Sequence, residues 1–306
     1  MISRFVLAAA LCISVPSFAA EANRYAATAI AAERFDMGAT LVERHGDKGA
    51  PLILIPGLAS GAWAWQDTIR QFGKDHTIYV LTLPGFDGRP AVDGKGMAAA
   101  QESVRELIEK RRLKRPVLIG HSLGATMSLG LAAAYPDLVR GVVAIDGLPV
   151  MPGTEHWPAA QRVQMVAMIN APKPAQTPES FAGQQQQYMR SIGTIEMSRA
   201  DELAKLSGKS DAAAVTRYMG EAIGVDLRSA LPAIKAPVLL ITPYSPVDGP
   251  QQQTDEAGKS AYYMSLMQGT PKLTVKTVSP ARHFAMFDQP QQVADAIRDY
   301  LKALPQ

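Results

Sequence analysis

The chain has 306 residues, about twice the ~150-residue prior for one domain, so it holds two domains or one large domain with an insertion. Hydrophobic residues make up 47% and charged residues 19%, which excludes global disorder. The formal charge of +3, with no basic cluster longer than Lys110-Arg111-Arg112, excludes a nucleic-acid footprint. A single cysteine, Cys12, excludes an internal disulfide framework, cysteine-based zinc sites and iron–sulfur clusters.

Residues 1–19 read as a signal peptide. A short basic start ending at Arg4 precedes the apolar run Phe5 to Val15. Pro16-Ser17-Phe18-Ala19 then supplies a breaker and small residues for cleavage near Ala19. The run is shorter than the ~20 apolar residues of a membrane span. The expected mature chain carries no thiol, which suits a periplasmic or secreted location. No later run reaches the length of a span, so no membrane span is expected.

Phe35 to Glu43 is expected to form a leading hairpin. Continuous apolar runs bounded by Pro or Gly then recur along the chain: Pro51 to Ile55, Thr77 to Leu81, Pro116 to Ile119, Gly141 to Ile145 and Pro237 to Ile241. Such runs mark strands buried on both faces of a parallel sheet. Leu273 to Val278 is a weaker sixth run. Helical stretches lie at Ala98 to Arg112, Leu123 to Tyr135, Gln253 to Met267 and Gln291 to Leu304. The alternation predicts an α/β fold, mostly parallel, with helices on both faces. Residues 149–231 break the rhythm and hold no strand-like run. They are expected to form a helical cap inserted into a core of residues 20–148 and 232–306. Six methionines of that stretch, Met151, Met165, Met168, Met189, Met197 and Met219, are expected either to line an adaptable pocket or simply to pack the cap.

The chemistry centres on Gly120-His121-Ser122-Leu123-Gly124. This is G-x-S-x-G placed between a strand and a helix, the context in which the motif makes a sharp turn that exposes a nucleophilic serine. A serine hydroxyl needs a base within hydrogen-bond reach. His45 is expected in a hairpin turn, His76 at the far end of the sheet, His121 beside the serine and His156 in the cap. His283 follows the last strand, at the carboxyl edge where open α/β sheets place their sites, and is the candidate base.

Four features in order resemble the α/β-hydrolase fold superfamily over nearly the whole expected mature chain. They are Leu54-Ile55-Pro56-Gly57-Leu58, Leu83-Pro84-Gly85-Phe86-Asp87-Gly88, the Ser122 turn, and Ala281-Arg282-His283-Phe284 with Asp288-Gln289-Pro290. Pro56 departs from the histidine that many members carry before the glycine. The resemblance implies a triad acid after one of two strands. The loop after Val238 to Ile241 offers Asp248, with Pro246 in the usual acidic slot. The strand next to the nucleophile's ends at Asp146, 24 residues after Ser122. Asp146 is the preferred acid and Asp248 the alternative. The oxyanion hole would use the backbone N–H of Leu123 and that of Leu58 or Ala59. Trp63 and Trp65 either flank the pocket or pack helix on sheet.

The implied activity is hydrolysis of a carboxylic ester through an acyl-enzyme on Ser122, acting on a small apolar or ester substrate. Amide or carbon–carbon hydrolysis, perhydrolysis, and a non-catalytic periplasmic binding protein of the same fold are the alternatives. No phosphate loop, zinc spacing or EF-hand is visible, so no cofactor and no metal is expected.

Overall fold

The computed structural model describes residue 25 and residues 29–94, 96–172 and 174–305. The expected signal peptide, with Cys12, lies outside the described residues. Eight strands form one sheet: β1 (Glu33–Met37), β2 (Thr40–His45), β3 (Leu52–Ile55), β4 (Ile78–Thr82), β5 (Val117–His121), β6 (Gly141–Ile145), β7 (Val238–Pro243) and β8 (Leu273–Val278). Their order is β1-β2-β4-β3-β5-β6-β7-β8. The hairpin β1–β2 and the pair β2–β4 are antiparallel, and every other pair is parallel.

The helices are α1 (Gln66–Phe72), α2 (Met97–Lys110), α3 (Leu123–Ala134), α4 (Ala159–Ile169), α5 (Pro178–Tyr188), α6 (Met197–Ser207), α7 (Ala212–Gly224), α8 (Gly249–Gln252), α9 (Glu256–Leu266), α10 (Ala285–Asp288) and α11 (Pro290–Ala303). Alternate residues of the central strands point to opposite faces, as the period of two demands. Ile53, Leu81, Leu118 and Leu240 join Leu107 of α2 and Met127 of α3 on one face. Leu52, Val80, Ile119 and Ile241 join Phe72 of α1 and Ile297 of α11 on the other. With both faces covered, β3 to β7 are buried throughout. Edge strand β8 alternates half-buried and exposed, and its apolar signal is correspondingly thin.

Helices α4 to α7 all lie between β6 and β7, and a bridge from Val150 to Asp226 closes the base of this insertion. Tyr218 of α7 packs on Phe86 after β4, ring centres 4.8 Å apart, fastening the insertion to the sheet. One expectation changes here, and two readings left open are decided. His45 is not in a turn: it ends β2, buried and paired in register with Ile78. Trp63 and Trp65 do not flank the cavity; both are buried on the α1/α11 side, where Trp63 stacks on Phe284 at 6.0 Å. Of the six methionines, Met151 and Met219 line the main cavity, Met189 is core, Met165 is half-buried outside the cavity lining, and Met168 and Met197 are exposed.

Candidate active site

Strand β5 ends at His121 and α3 begins at Leu123, so one residue must turn the chain. Ser122 does so at φ 51° and ψ −117°, in the region that ordinary L-residues avoid. Two glycines permit it by close approach. A Cβ on Gly120 would lie 2.3 Å from the Gly124 carbonyl oxygen, and one on Gly124 would lie 2.1 Å from that of Ile55. The Ser122 N–H donates to the Ile145 carbonyl at 2.9 Å, tying the turn to β6. Leu123 is the first residue of α3, so its N–H has no acceptor within the helix.

Asp146 follows β6, and its N–H donates to Ile241 of β7 at 3.0 Å. Its carboxylate is almost fully enclosed. Oδ2 meets His283 Nδ1 at 2.6 Å, and Oδ1 accepts the Tyr263 hydroxyl at 2.7 Å. A carboxylate only accepts, so Nδ1 carries the proton and Nε2 keeps its lone pair. Burial alone would raise the Asp146 carboxyl. The hydrogen bond and charge of His283, then Lys259 and Tyr263, outweigh burial and hold it below the ordinary carboxylate value.

His283 lies between β8 and α10, and its backbone is held by the insertion. Its N–H donates to the Ile192 carbonyl at 3.1 Å, and the N–H of Phe284 donates to Gly193 at 2.9 Å. From below, His121 Nε2 donates to the His283 carbonyl at 2.9 Å. Burial pushes His121 down to about 3, so it is a neutral strut rather than a second base. The other histidines stand elsewhere: His76 Nδ1 meets the Ala50 carbonyl, His45 faces Glu43, and His156 lies in a turn before α4.

Asp248 does not meet His283. Arg282 takes it in a two-pronged pair, at 2.7 Å from Nε and 2.6 Å from Nη2. That guanidinium holds the Asp248 carboxyl below the ordinary range. Of the two candidate acids, the structure therefore brings Asp146 to the histidine and gives Asp248 to the neighbouring arginine. Arg282 Nη1 also donates to the carbonyls of Arg190 and Thr194, so the pair clasps the histidine loop to the insertion.

Ser122, Asp146 and His283 line one cavity of about 790 Å³. Leu58 and Leu123 line it too, while Ala59 is buried outside the lining and turns the chain at φ 53°. Val150, Met151, Met219 and Ile223 from the base and body of the insertion make much of the wall apolar. Tyr188 closes over His283 edge-on, ring centres 6.1 Å apart. Sequence reasoning missed Tyr263, Lys259 and the role of Arg282. Tyr263 and Lys259 are spaced i, i+4 on α9, which reads from sequence as nothing more than one helix face.

A model of the alpha/beta hydrolase family matches residues 52–296, spanning the turn at Ser122, Asp146 and His283. The chain belongs to that family. Among curated relatives, the biotin biosynthesis bifunctional protein BioHC of Cellvibrio japonicus is 24% identical over 260 residues, which are 83% of this chain and 48% of that protein. This chain thus spans about half the length of that relative. The pimeloyl-[acyl-carrier protein] methyl ester esterase of Klebsiella pneumoniae is 25% identical over 221 residues, covering 67% of this chain and 77% of the esterase. Among solved structures, a thermophilic esterase from Thermogutta terrifontis superposes with a TM-score of 0.68 at 18% identity, covering 89% of this chain and 98% of that one. This alpha/beta hydrolase is an enzyme, and its fold is that of the family. Among the described residues, no helix is long and apolar enough to cross a membrane.

Proposed function

We propose that this alpha/beta hydrolase cleaves a carboxylic ester through an acyl-enzyme on Ser122. The observation that carries the reading is the 2.6 Å contact of His283 Nδ1 with Asp146 in the cavity that also holds the strained Ser122. In this reading His283 Nε2 takes the Ser122 proton as Oγ attacks the ester carbonyl. Asp146 fixes the imidazole tautomer and stabilises the imidazolium. The N–H groups of Leu123 and Leu58 receive the oxyanion, the first of them at the positive end of α3. Collapse breaks the ester C–O bond, and His283 protonates the departing alcohol. Water then attacks the acyl-serine with His283 as base, which frees the acid and restores the Ser122 hydroxyl.

The apolar wall of Val150, Met151, Met219 and Ile223 supports an apolar acyl or alcohol group, with the insertion acting as a cap over the site. A fluorophosphonate probe is expected to label Ser122 and to leave Ser122→Ala unlabelled. p-Nitrophenyl esters of rising chain length then give the acyl preference. A folded wild-type protein that neither labels nor turns over any ester would refute the reading. The N-terminal pattern further supports export with cleavage near Ala19, so protein from its native host is expected to start at Ala20 or Glu21. Soluble cytosolic protein that retains Met1 would refute export and leave the chemistry standing.

A further inference from the structure

A carboxylate enclosed as Asp146 is needs a partner on each oxygen, since a buried charged acceptor left unpaired is strongly disfavoured. His283 serves Oδ2 and Tyr263 serves Oδ1, at 2.7 Å. Tyr263 is itself buried, on α9. One turn earlier on the same helix, Lys259 sets its ammonium 5.5 Å from the centre of the Tyr263 ring, and it also lines the cavity. The helix after β7 therefore grips the acid that follows β6.

We propose that Tyr263, backed by Lys259, is a positioning residue for the hydrolysis: its hydroxyl holds the Asp146 carboxylate square to His283, and the two side chains together temper the basicity of that carboxylate. The inference rests on Asp146 being the orienting acid.

The other groups around Asp146 do not supply these functions. His283, from the loop after β8, is the group being oriented. His121 on β5 is neutral and spends its Nε2 proton on the His283 carbonyl. Tyr188 on α5 faces the His283 ring edge, and burial raises its hydroxyl above the ordinary value, so it stays neutral. Asp248, after β7, is neutralised by Arg282. Lys259 thus remains as the cation on the Tyr263 side of the carboxylate, and it draws Asp146 toward the charged form.

The sign of the effect follows from charge. Without the tyrosine donor, Oδ1 carries more negative charge and binds the His283 imidazolium more tightly. The His283–Asp146 pair then keeps its proton to higher pH, and the acid limb of kcat/KM moves up. Removing the Lys259 charge acts in the same direction without touching the hydrogen bond.

The test uses the full-length protein and p-nitrophenyl butyrate across pH. Tyr263→Phe is expected to lower kcat about tenfold with little change in KM, and to raise the acid limb by about 0.5–1 pH unit. Lys259→Met is expected to raise that limb by a few tenths of a unit. In an Asp146→Asn background, Tyr263→Phe is expected to add no further loss, because the hydroxyl acts through that carboxylate. A lower kcat with an unmoved limb, or a loss that multiplies with that of Asp146→Asn, would overturn the inference and leave the triad intact. Near wild-type turnover in Asp146→Asn would overturn both. Should Tyr263→Phe fail to fold, Lys259→Met decides: a limb that stays put or moves down overturns the inference.

Discussion

Asp146→Asn and Asp248→Asn, made side by side, separate an orienting acid from a structural one. Both substitutions keep volume, so both proteins are expected to fold. At position 146 the amide would face His283 Nδ1 across 2.6 Å and the Tyr263 hydroxyl across 2.7 Å. With its NH2 toward Nδ1 it imposes the wrong imidazole tautomer, and in either orientation it gives the imidazolium no countercharge. The loss expected in kcat is ~10⁴, about 5 kcal/mol of transition-state stabilisation. At position 248 the amide removes one charge from a pair whose side chains are 15% and 17% exposed. Arg282 keeps its bonds to the Arg190 and Thr194 carbonyls. The expected result is a stability loss of about 1–2 kcal/mol and a change in kcat of about tenfold or less. Ester turnover with active-site titration gives the first number, and urea unfolding gives the second. The reverse kinetic ranking, with both variants folded, would refute the reasoning and move the acid to the loop after β7.

Two further outcomes follow from packing and burial. Gly124→Ala would put a Cβ 2.1 Å from the Ile55 carbonyl oxygen and 2.7 Å from that of Pro56, both backbone atoms; a loss of about 2–4 kcal/mol is expected, and an unchanged Tm would contradict the close approach. Burial lifts the Asp87 carboxyl from 3.8 to about 6, so the folded state favours its protonated form, and its contribution to stability is lost as pH rises from about 4 to about 6. Asp87→Asn, which tolerates the local φ of 48°, is expected to stabilise the protein at pH 7 by about 1–2 kcal/mol after allowing for the partial exposure of this group, and to flatten the stability profile between pH 4 and 6; a steeper profile would contradict the burial.

The parts of the fold legible in sequence are those where burial is uniform. Strands β3 to β7 are covered on both faces, so their runs are continuous, whereas in the leading hairpin only β1 alternates in burial. The short α1 carried no such signal, because Trp63-Ala64-Trp65 ahead of it blends into the same buried surface. The glycines around Ser122 were readable because the turn itself demands close approach. The choice of acid was only partly so: Asp146 was the preferred residue, but Asp146 and Asp248 both follow strands at one sheet edge. Only the placement of Arg282, one residue before the histidine, diverts Asp248 from His283. The methionines of the insertion were ambiguous because helix contacts, not composition, decide which side chains reach the cavity.

The insertion does more than line the cavity. Residues 190–195, which include all but the first residue of the π-turn Met189–Gly193, hold residues 282–288 through five of their backbone groups. Ile192 and Gly193 accept the N–H groups of His283 and Phe284; Arg190 and Thr194 accept Arg282; and the Ile195 N–H donates to Asp288 at 3.1 Å, whose other oxygen takes the Arg282 N–H at 2.9 Å. Asp288 is mostly buried, and burial raises its carboxyl above the ordinary value, although both backbone donors oppose the shift. His283 is thus positioned from three directions: by Asp146 at its ring, by His121 beneath its carbonyl, and by the insertion along its backbone. The same segment that helps shape the substrate wall fixes the ring that would take the serine proton. A change of substrate wall made at Val150, Met151 or Met219 leaves these ties in place, whereas one that displaces residues 190–195 moves the base along with the wall. In this fold the hold of the insertion on His283 and its loop is therefore exerted through a six-residue turn, not through the helices that form most of the insertion.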